Sequence, residues 1–198
     1  MKVTIGKLIF QNFKGLKDLT VDFNRQEITN IYGENASGKS SIFDGFTYLF
    51  TEKDSLDRKA FEIKTLDKNN KPIHRQIHSV TGEIYQDDFK TVLKREYLEK
   101  WQKKRGEPEP TFTGHETNHF VDGIPVTKKE YQEVIDKIMN ESVLKLLSNP
   151  FHFANKKWED KRSIVLQVAG EPSIEDVAKG VKKYEDLLKL IDESRIKR

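Results

Sequence analysis

The chain has 198 residues, enough for one or two domains with a real core, and pairs 35% hydrophobic with 34% charged residues. No apolar run approaches the roughly 18 residues that span a bilayer, and Met1–Leu8 lacks the apolar stretch of a signal peptide. With no cysteine there is neither a disulfide nor a thiolate metal site, so a cytoplasmic protein is expected; the net charge of +3 allows nucleic-acid contact without arguing for it.

Residues 3–10 and 19–23 alternate apolar and polar as paired strands do, through Val3, Ile5, Leu8 and Phe10, then Leu19, Val21 and Phe23. The connector 11–18 holds Asn12 and Gly15 and reads as a turn or short loop. Glu27–Tyr32 follows as a short strand, with Ile28, Ile31 and Tyr32 apolar and Thr29 β-branched. Next comes Gly33-Glu34-Asn35-Ala36-Ser37-Gly38-Lys39-Ser40, which fits the phosphate-loop pattern Gly-x-x-x-x-Gly-Lys-[Ser/Thr]. In that pattern backbone N–H groups cradle phosphate oxygens, the lysine ammonium reaches the outer phosphates, and the serine hydroxyl ligates Mg²⁺. Ile42, Phe43, Phe46, Leu49 and Phe50 then mark one face of a helix starting near Gly38, whose N-terminal dipole favours the same anion.

Residues 51–126 are charged, with short β-type segments at 61–64, 79–81, 91–98 and 119–121, and they read as an antiparallel β lobe inserted after the first helix. Asp122-Gly123 predicts a hairpin between Phe120-Val121 and Ile124–Val126, and 101–114 reads as a mobile tip. From 127 helices dominate. Thr127–Glu130 is a capping box, and the apolar face from Tyr131 continues into Leu146 and Leu147 until Asn149-Pro150 stops it. Trp158–Val168 is a further amphipathic helix ended by Gly170 and Pro172. Ile174, Val177, Val181, Tyr184, Leu188 and Ile191 then recur at heptad spacing, so 171–198 reads as the start of a coiled-coil helix following the phosphate-loop domain of 1–170.

Other chemistry is thin. His74, His78, His115, His119 and His152 read as surface residues. The basic residues Lys90, Lys94, Arg95, Lys100, Lys103, Lys104 and Arg105 are candidates for DNA backbone, although interspersed glutamates favour a solvated surface. No apolar strand ending in Asp or Glu follows the phosphate loop, so the second acidic Mg²⁺ ligand of a working ATPase is not found. The same absence, with that of a base-recognition loop, counts against a self-contained phosphate-loop kinase or GTPase. A non-catalytic interaction module that kept the loop pattern is the other alternative.

The sequence resembles the N-terminal half of SMC-like ATPases of the ABC type, especially SbcC-type DNA-repair and phage recombination proteins. The likeness is carried by Asn12–Lys17, by Ile31–Asp44 and by Asn149-Pro150-Phe151 through Trp158, Arg162 and Gly170. It implies an α/β phosphate-loop fold of ABC-ATPase type in which ATP and Mg²⁺ bind a split site. It assigns phosphate contact to Gly33, Asn35, Ala36, Ser37, Gly38, Lys39, Ser40 and Ser41, with Lys39 catalytic and Ser40 on Mg²⁺. Lys14 falls where the family often has an Arg near the nucleotide, and Asn149 roughly at the glutamine that helps hold Mg²⁺. Ala36 stands where the family usually has Gly, and a negative φ is expected there. The implied partners are the C-terminal half of the same ATPase, a second head closing on ATP, DNA and a nuclease subunit, with no membrane role.

Overall fold

The computed structural model of the chain describes residues 2–103, 106, 109–148, 150–154 and 156–170. These fall in two compact units, 1–148 and 149–198.

The first unit is built on a six-stranded antiparallel sheet. Its strands are β1 (Val3–Phe13), β2 (Leu16–Asp22), β3 (His78–Gln86), β4 (Phe89–Gln102), β5 (Thr111–Val121) and β6 (Ile124–Val126), in the order β2-β1-β3-β4-β5-β6. Three two-residue turns set the register. Phe13 pairs Leu16 across Lys14-Gly15 (φ 47 and 87), Gln86 pairs Phe89 across Asp87-Asp88, and Val121 pairs Ile124 across Asp122-Gly123 (φ 50 and 80). In the first and third of these, positive φ at both turn residues matches the twist of the flanking strands, which is why Gly follows Lys14 and Asp122.

The sheet has two chemically distinct faces. One carries Leu8, Phe10, Val80, Ile84 and Leu93, all buried, and receives helix α1 (Lys39–Thr51). The other is polar, laced by Lys90–Glu83, Lys94–Glu96 and Lys100–Glu116 pairs at 2.6–2.9 Å. Two glycines bring α1 and the sheet together. A Cβ on Gly45 would stand 2.3 Å from the Phe10 ring, and one on Gly82 would stand 2.5 Å from Leu49 Cδ2. Helix α2 (Lys128–Ile138) begins at the Thr127–Glu130 capping box, and buries Tyr131, Ile135 and Ile138 against the same core. Helix α3 (Glu141–Ser148) completes the first unit.

The C-terminal end of α1 is tied down by a buried arginine. Arg95 of β4 is 2% exposed and donates to Leu49 O at 2.8 Å and Phe50 O at 3.4 Å, two carbonyls that no helical N–H reaches. Tyr131 Oη donates to Leu49 O as well, at 3.1 Å. Glu52, the left-handed C-cap of α1, forms an ion pair with Arg95 at 2.8 Å, is hydrogen-bonded to His119 at 3.1 Å, and accepts from Lys128.

The second unit contains α4 (Pro150–Ala154) and α5 (Trp158–Ala169), with Glu159 and Asp160 favouring the N-terminus of α5 and Gly170 (φ 81) ending it.

Several expectations change. Glu27–Tyr32 forms no strand; it has no neighbour to pair with among the described residues, and Ile28 and Tyr32 are 77% and 87% exposed. The antiparallel lobe is continuous with β1 and β2 rather than confined to 51–126, and 61–64 contributes a single bridge, Phe13 with Lys64. The apolar face after Tyr131 is broken at Met139, whose extended φ of −163° separates α2 from α3. His78 and His119 are buried rather than on the surface, and Arg95 belongs to the core. Asn149 and the heptads of 171–198 lie outside the described residues.

Gly45→Ala forces a methyl into the Phe10 ring and is expected to destabilise the chain by about 1–3 kcal/mol, read as a lower urea midpoint at unchanged slope. His119 titrates near 4, because burial and the Arg95 and Lys128 charges oppose its protonation. The unfolded chain takes up this proton through the ordinary value of 6.5, whereas the folded chain waits until about 4. Stability therefore falls as pH drops through that window. Denaturation profiles of wild type and His119→Asn between pH 7 and 4 should diverge in the acid direction, with the variant losing less.

Candidate phosphate-binding site

Residues 33–40 leave the sheet region and turn into α1 without a side-chain cap: Gly38 (φ 94) occupies the N-cap, and no side chain bonds the first turn. The leading N–H groups of a helix have no intrahelical partner, and α1 carries no acidic residue in its first turn to compete for an anion. Ala36 at φ 64 and Gly38 at φ 94 are left-handed, whereas Asn35 and Ser37 are not. Alternating handedness in successive residues turns their N–H groups toward one concavity, which is the geometry of an anion nest. A Cβ on Gly33 would meet Ser37 Oγ at 2.7 Å, so the two ends of the loop pack closely here. The Lys39 ammonium lies across the loop, donating to Gly33 O at 2.8 Å and Glu34 O at 2.6 Å.

The positive φ of Ala36 overturns the expected negative one. An L-residue in the left-handed region costs on the order of 1–2 kcal/mol, yet a right-handed Ala36 would direct the neighbouring N–H groups away from the concavity. The loop shape prevails over the residue's preference, a strain of the kind found at functional sites.

The β1–β2 turn braces the first turns of α1. Leu16 Cδ2 lies 2.7 Å from where a Gly38 Cβ would be, and Ser41 Oγ donates to Lys14 O at 3.4 Å. Lys14 is held on every polar group, its N–H donating to Ile63 O at 2.9 Å and its ammonium to Asp44 Oδ2. The other Asp44 oxygen accepts from Ser55 N at 3.0 Å and Ser55 Oγ at 2.6 Å. Burial acts to raise the Asp44 carboxyl, but the hydrogen bonds from Lys14 and Ser55 and the Lys14 charge outweigh it and leave it below the usual carboxylate value. Asp44 and Ser55 were missed from sequence. The available signal was a carboxylate between Phe43 and Phe46 on a packing helix, where a charge needs a partner.

Among the described residues no three His, Cys, Asp or Glu side chains gather to hold a metal. The uncapped N–H groups of α1, the nest before it and the Lys39 ammonium are donors of the kind that suit a phosphate. Lys90, Lys94, Arg95 and Lys100 are each engaged with a glutamate, which argues for a solvated or structural role over DNA backbone. No described helix is long and apolar enough to cross a membrane.

A glycine-turned loop leading into the uncapped N-terminus of α1, with that helix packed on the sheet, is the arrangement of a phosphate-loop fold. The model of the AAA_23 family of AAA domains matches residues 7–198, and the chain belongs to that family. Among solved structures it is similar to the crystal structure of an SMC head bound to the C-terminal winged-helix domain of ScpA, at 17% identity and TM-score 0.51, covering 92% of this chain and 53% of that one. It also matches the recombination mediator RecF with ATP, at 16% identity and TM-score 0.45, over 94% of this chain and 54% of that one. The chain thus shares the SMC-head fold and spans about half the length of that head. No curated protein matches the sequence.

Ala36→Gly removes the left-handed penalty without touching the loop's hydrogen-bonding groups. It is expected to raise stability by about 1 kcal/mol or somewhat less, because glycine also gains freedom in the unfolded chain. Thermal melts of the two proteins check this, and an unchanged or lower melting temperature contradicts it.

Proposed function

We propose that the chain is the ATP–Mg²⁺-binding N-terminal half of an SMC-like ATPase acting in DNA double-strand break repair or recombination. The observation that carries this reading is the nest at Asn35–Gly38, opening onto the uncapped N-terminus of α1, with Lys39 across it. In this reading Gly33, Asn35, Ala36, Ser37, Gly38, Lys39, Ser40 and Ser41 bind the phosphates. Ser40 ligates Mg²⁺, and Asn149 is the further metal-side residue.

The rest of the machinery comes from a second polypeptide segment, the C-terminal half. Two features support this. Glu27–Tyr32 has strand composition but no pairing partner among the described residues. Beside it a cleft of about 450 Å³ is lined almost wholly by apolar side chains, including Ile5, Phe23, Ile31, Phe43, Phe46 and Met139. An exposed apolar cleft of this kind marks an interaction surface, and a parallel strand pairing with 27–32 would cover it. ATP would then close two such heads on each other, and hydrolysis would reopen them. DNA and a nuclease subunit are the further partners of this reading.

Labelled-ATP titration of wild type and Lys39→Ala tests the first step. Wild type should bind with Mg²⁺ dependence, and the variant should lose at least about tenfold in affinity, the cost of one charge-assisted phosphate contact. Equal, negligible binding by both would favour an interaction module without nucleotide. The 198-residue chain should turn ATP over slowly until the C-terminal half is supplied. Robust hydrolysis by the chain alone would refute the split site.

A further inference from the structure

The β1–β2 turn is unusual in its backbone and in how fully it is held. Asn12, Lys14 and Gly15 all have positive φ, at 52, 47 and 87. Two of these are side-chain-bearing residues in a region that L-residues avoid. Such a conformation persists only where surrounding contacts over-determine it, and here they converge on Lys14. Its N–H is taken by Ile63 and its C=O by Ser41, and its ammonium lies between Asp44 and the face of Phe61, 5.4 Å from the ring centroid. The turn therefore delivers one cation to the flank of α1.

Asp44 is five residues beyond Lys39, so the ammonium sits about 7.5 Å along the helix axis from the start of the phosphate cradle. Its anchor point is nearer. Lys14 O is in hydrogen-bond contact with Ser41, one of the loop's own predicted phosphate-binding residues. A lysine head is a point charge on a flexible four-carbon stem, and rotation of that stem about a fixed backbone sweeps from Asp44 to the N-terminal end of α1. Asp44 does not depend on Lys14 alone, since Ser55 donates twice to its other oxygen. The carboxylate therefore stays hydrogen-bonded if the lysine leaves.

We propose that Asp44 is a gating residue that competes with nucleotide phosphates for the Lys14 ammonium, so that triphosphate binding transfers Lys14 from Asp44 to the phosphate chain. The proposal rests on the nucleotide reading above and extends it. Asp44 sets how much of the binding energy appears as affinity, while its bonds to Ser55 hold it in place through the exchange. Asp44 is a positioning residue in this scheme, acting only through Lys14.

The test is a double-mutant cycle on ATP affinity in the full chain, using Asp44→Asn, Lys14→Met and the double variant, with Lys39→Ala as control. Asp44→Asn keeps an oxygen for Ser55 and frees the lysine, and it should tighten ATP by about tenfold. Lys14→Met should weaken it by a similar factor, and adding Asp44→Asn to Lys14→Met should then change nothing. Weaker binding by Asp44→Asn would mean a structural brace and overturn the proposal. Equal tightening in both backgrounds would mean a general field of the carboxylate and overturn it too. Wild-type binding no better than that of Lys39→Ala would instead remove the nucleotide reading itself, and the proposal with it. Should Asp44→Asn fail to fold, ¹³C-methylated lysines in the wild type give a second readout. The Lys14 resonance, assigned by its loss in Lys14→Arg, must move on addition of ATP, and a stationary signal overturns the exchange.

Discussion

The Arg95 guanidinium is the fixed point of the first unit. A buried cation costs several kcal/mol unless it is paired and hydrogen-bonded, and here Nε and one Nη donate to the end of a helix while the other Nη faces a carboxylate. Leu49 O and Phe50 O lie at the negative pole of α1, and Glu52 closes the set. The rings of Tyr131 and Tyr48 flank the charge, with centroids 4.8 and 5.8 Å away. One side chain on a central strand thereby satisfies the C-terminal carbonyls of α1, recruits α2 through Tyr131, and draws in β5 through His119. Loss of Arg95 would take a donor from both carbonyls and one partner from Glu52, whereas Leu49 O would keep Tyr131 and Glu52 would keep His119 and Lys128.

Anchoring the far end of α1 has a consequence at the near end. The helix is held by its C-terminus and pressed on the sheet at Gly45 and Gly82, so its N-terminus projects with its N–H groups uncapped. The β1–β2 turn reaches that end, through Leu16 and Lys14. The phosphate loop is therefore supported by a rigid helix and, on one side, by a strained turn. Placing function on a rigid element and strain on the loop above it is the usual physical division of such sites.

How much of this was legible in the sequence depends on the range of the interaction. Local chemistry was readable. The Asp122-Gly123 hairpin, the Thr127–Glu130 capping box and the start of α1 after Gly38 each follow from a few adjacent residues. Long-range chemistry was not. Arg95 lies in a stretch of lysines and glutamates, and nothing near it in sequence indicates that Leu49 and Phe50, some 45 residues away, would bury it. Lys14 and Asp44, 30 residues apart, are hidden for the same reason. Ala36 failed in the opposite way: its local preference was stated correctly and the loop overrode it.

Glu27–Tyr32 is the instructive case, since its composition is that of a strand while its backbone is not. Strand propensity expresses how well a segment fits a pleated, half-buried surface, and it is realised only when neighbours supply hydrogen bonds and cover. This segment has neither among the described residues, and Ile28 and Tyr32 stand exposed beside an apolar cleft. The chain spans about half of the SMC head whose fold it shares. A strand signal without a partner, on a chain of half length, fits the proposal that the sheet around the phosphate loop is completed by a second polypeptide segment. On that view the pattern at 27–32 was correctly written and belongs to an assembly larger than the 198 residues. The nest at Asn35–Gly38 needs no such completion, because its geometry is set by backbone torsions and by the anchored helix beneath it. Under the proposed function, binding and turnover are therefore separable: the first would be local to α1 and its loop, and the second would wait on the segment that covers them.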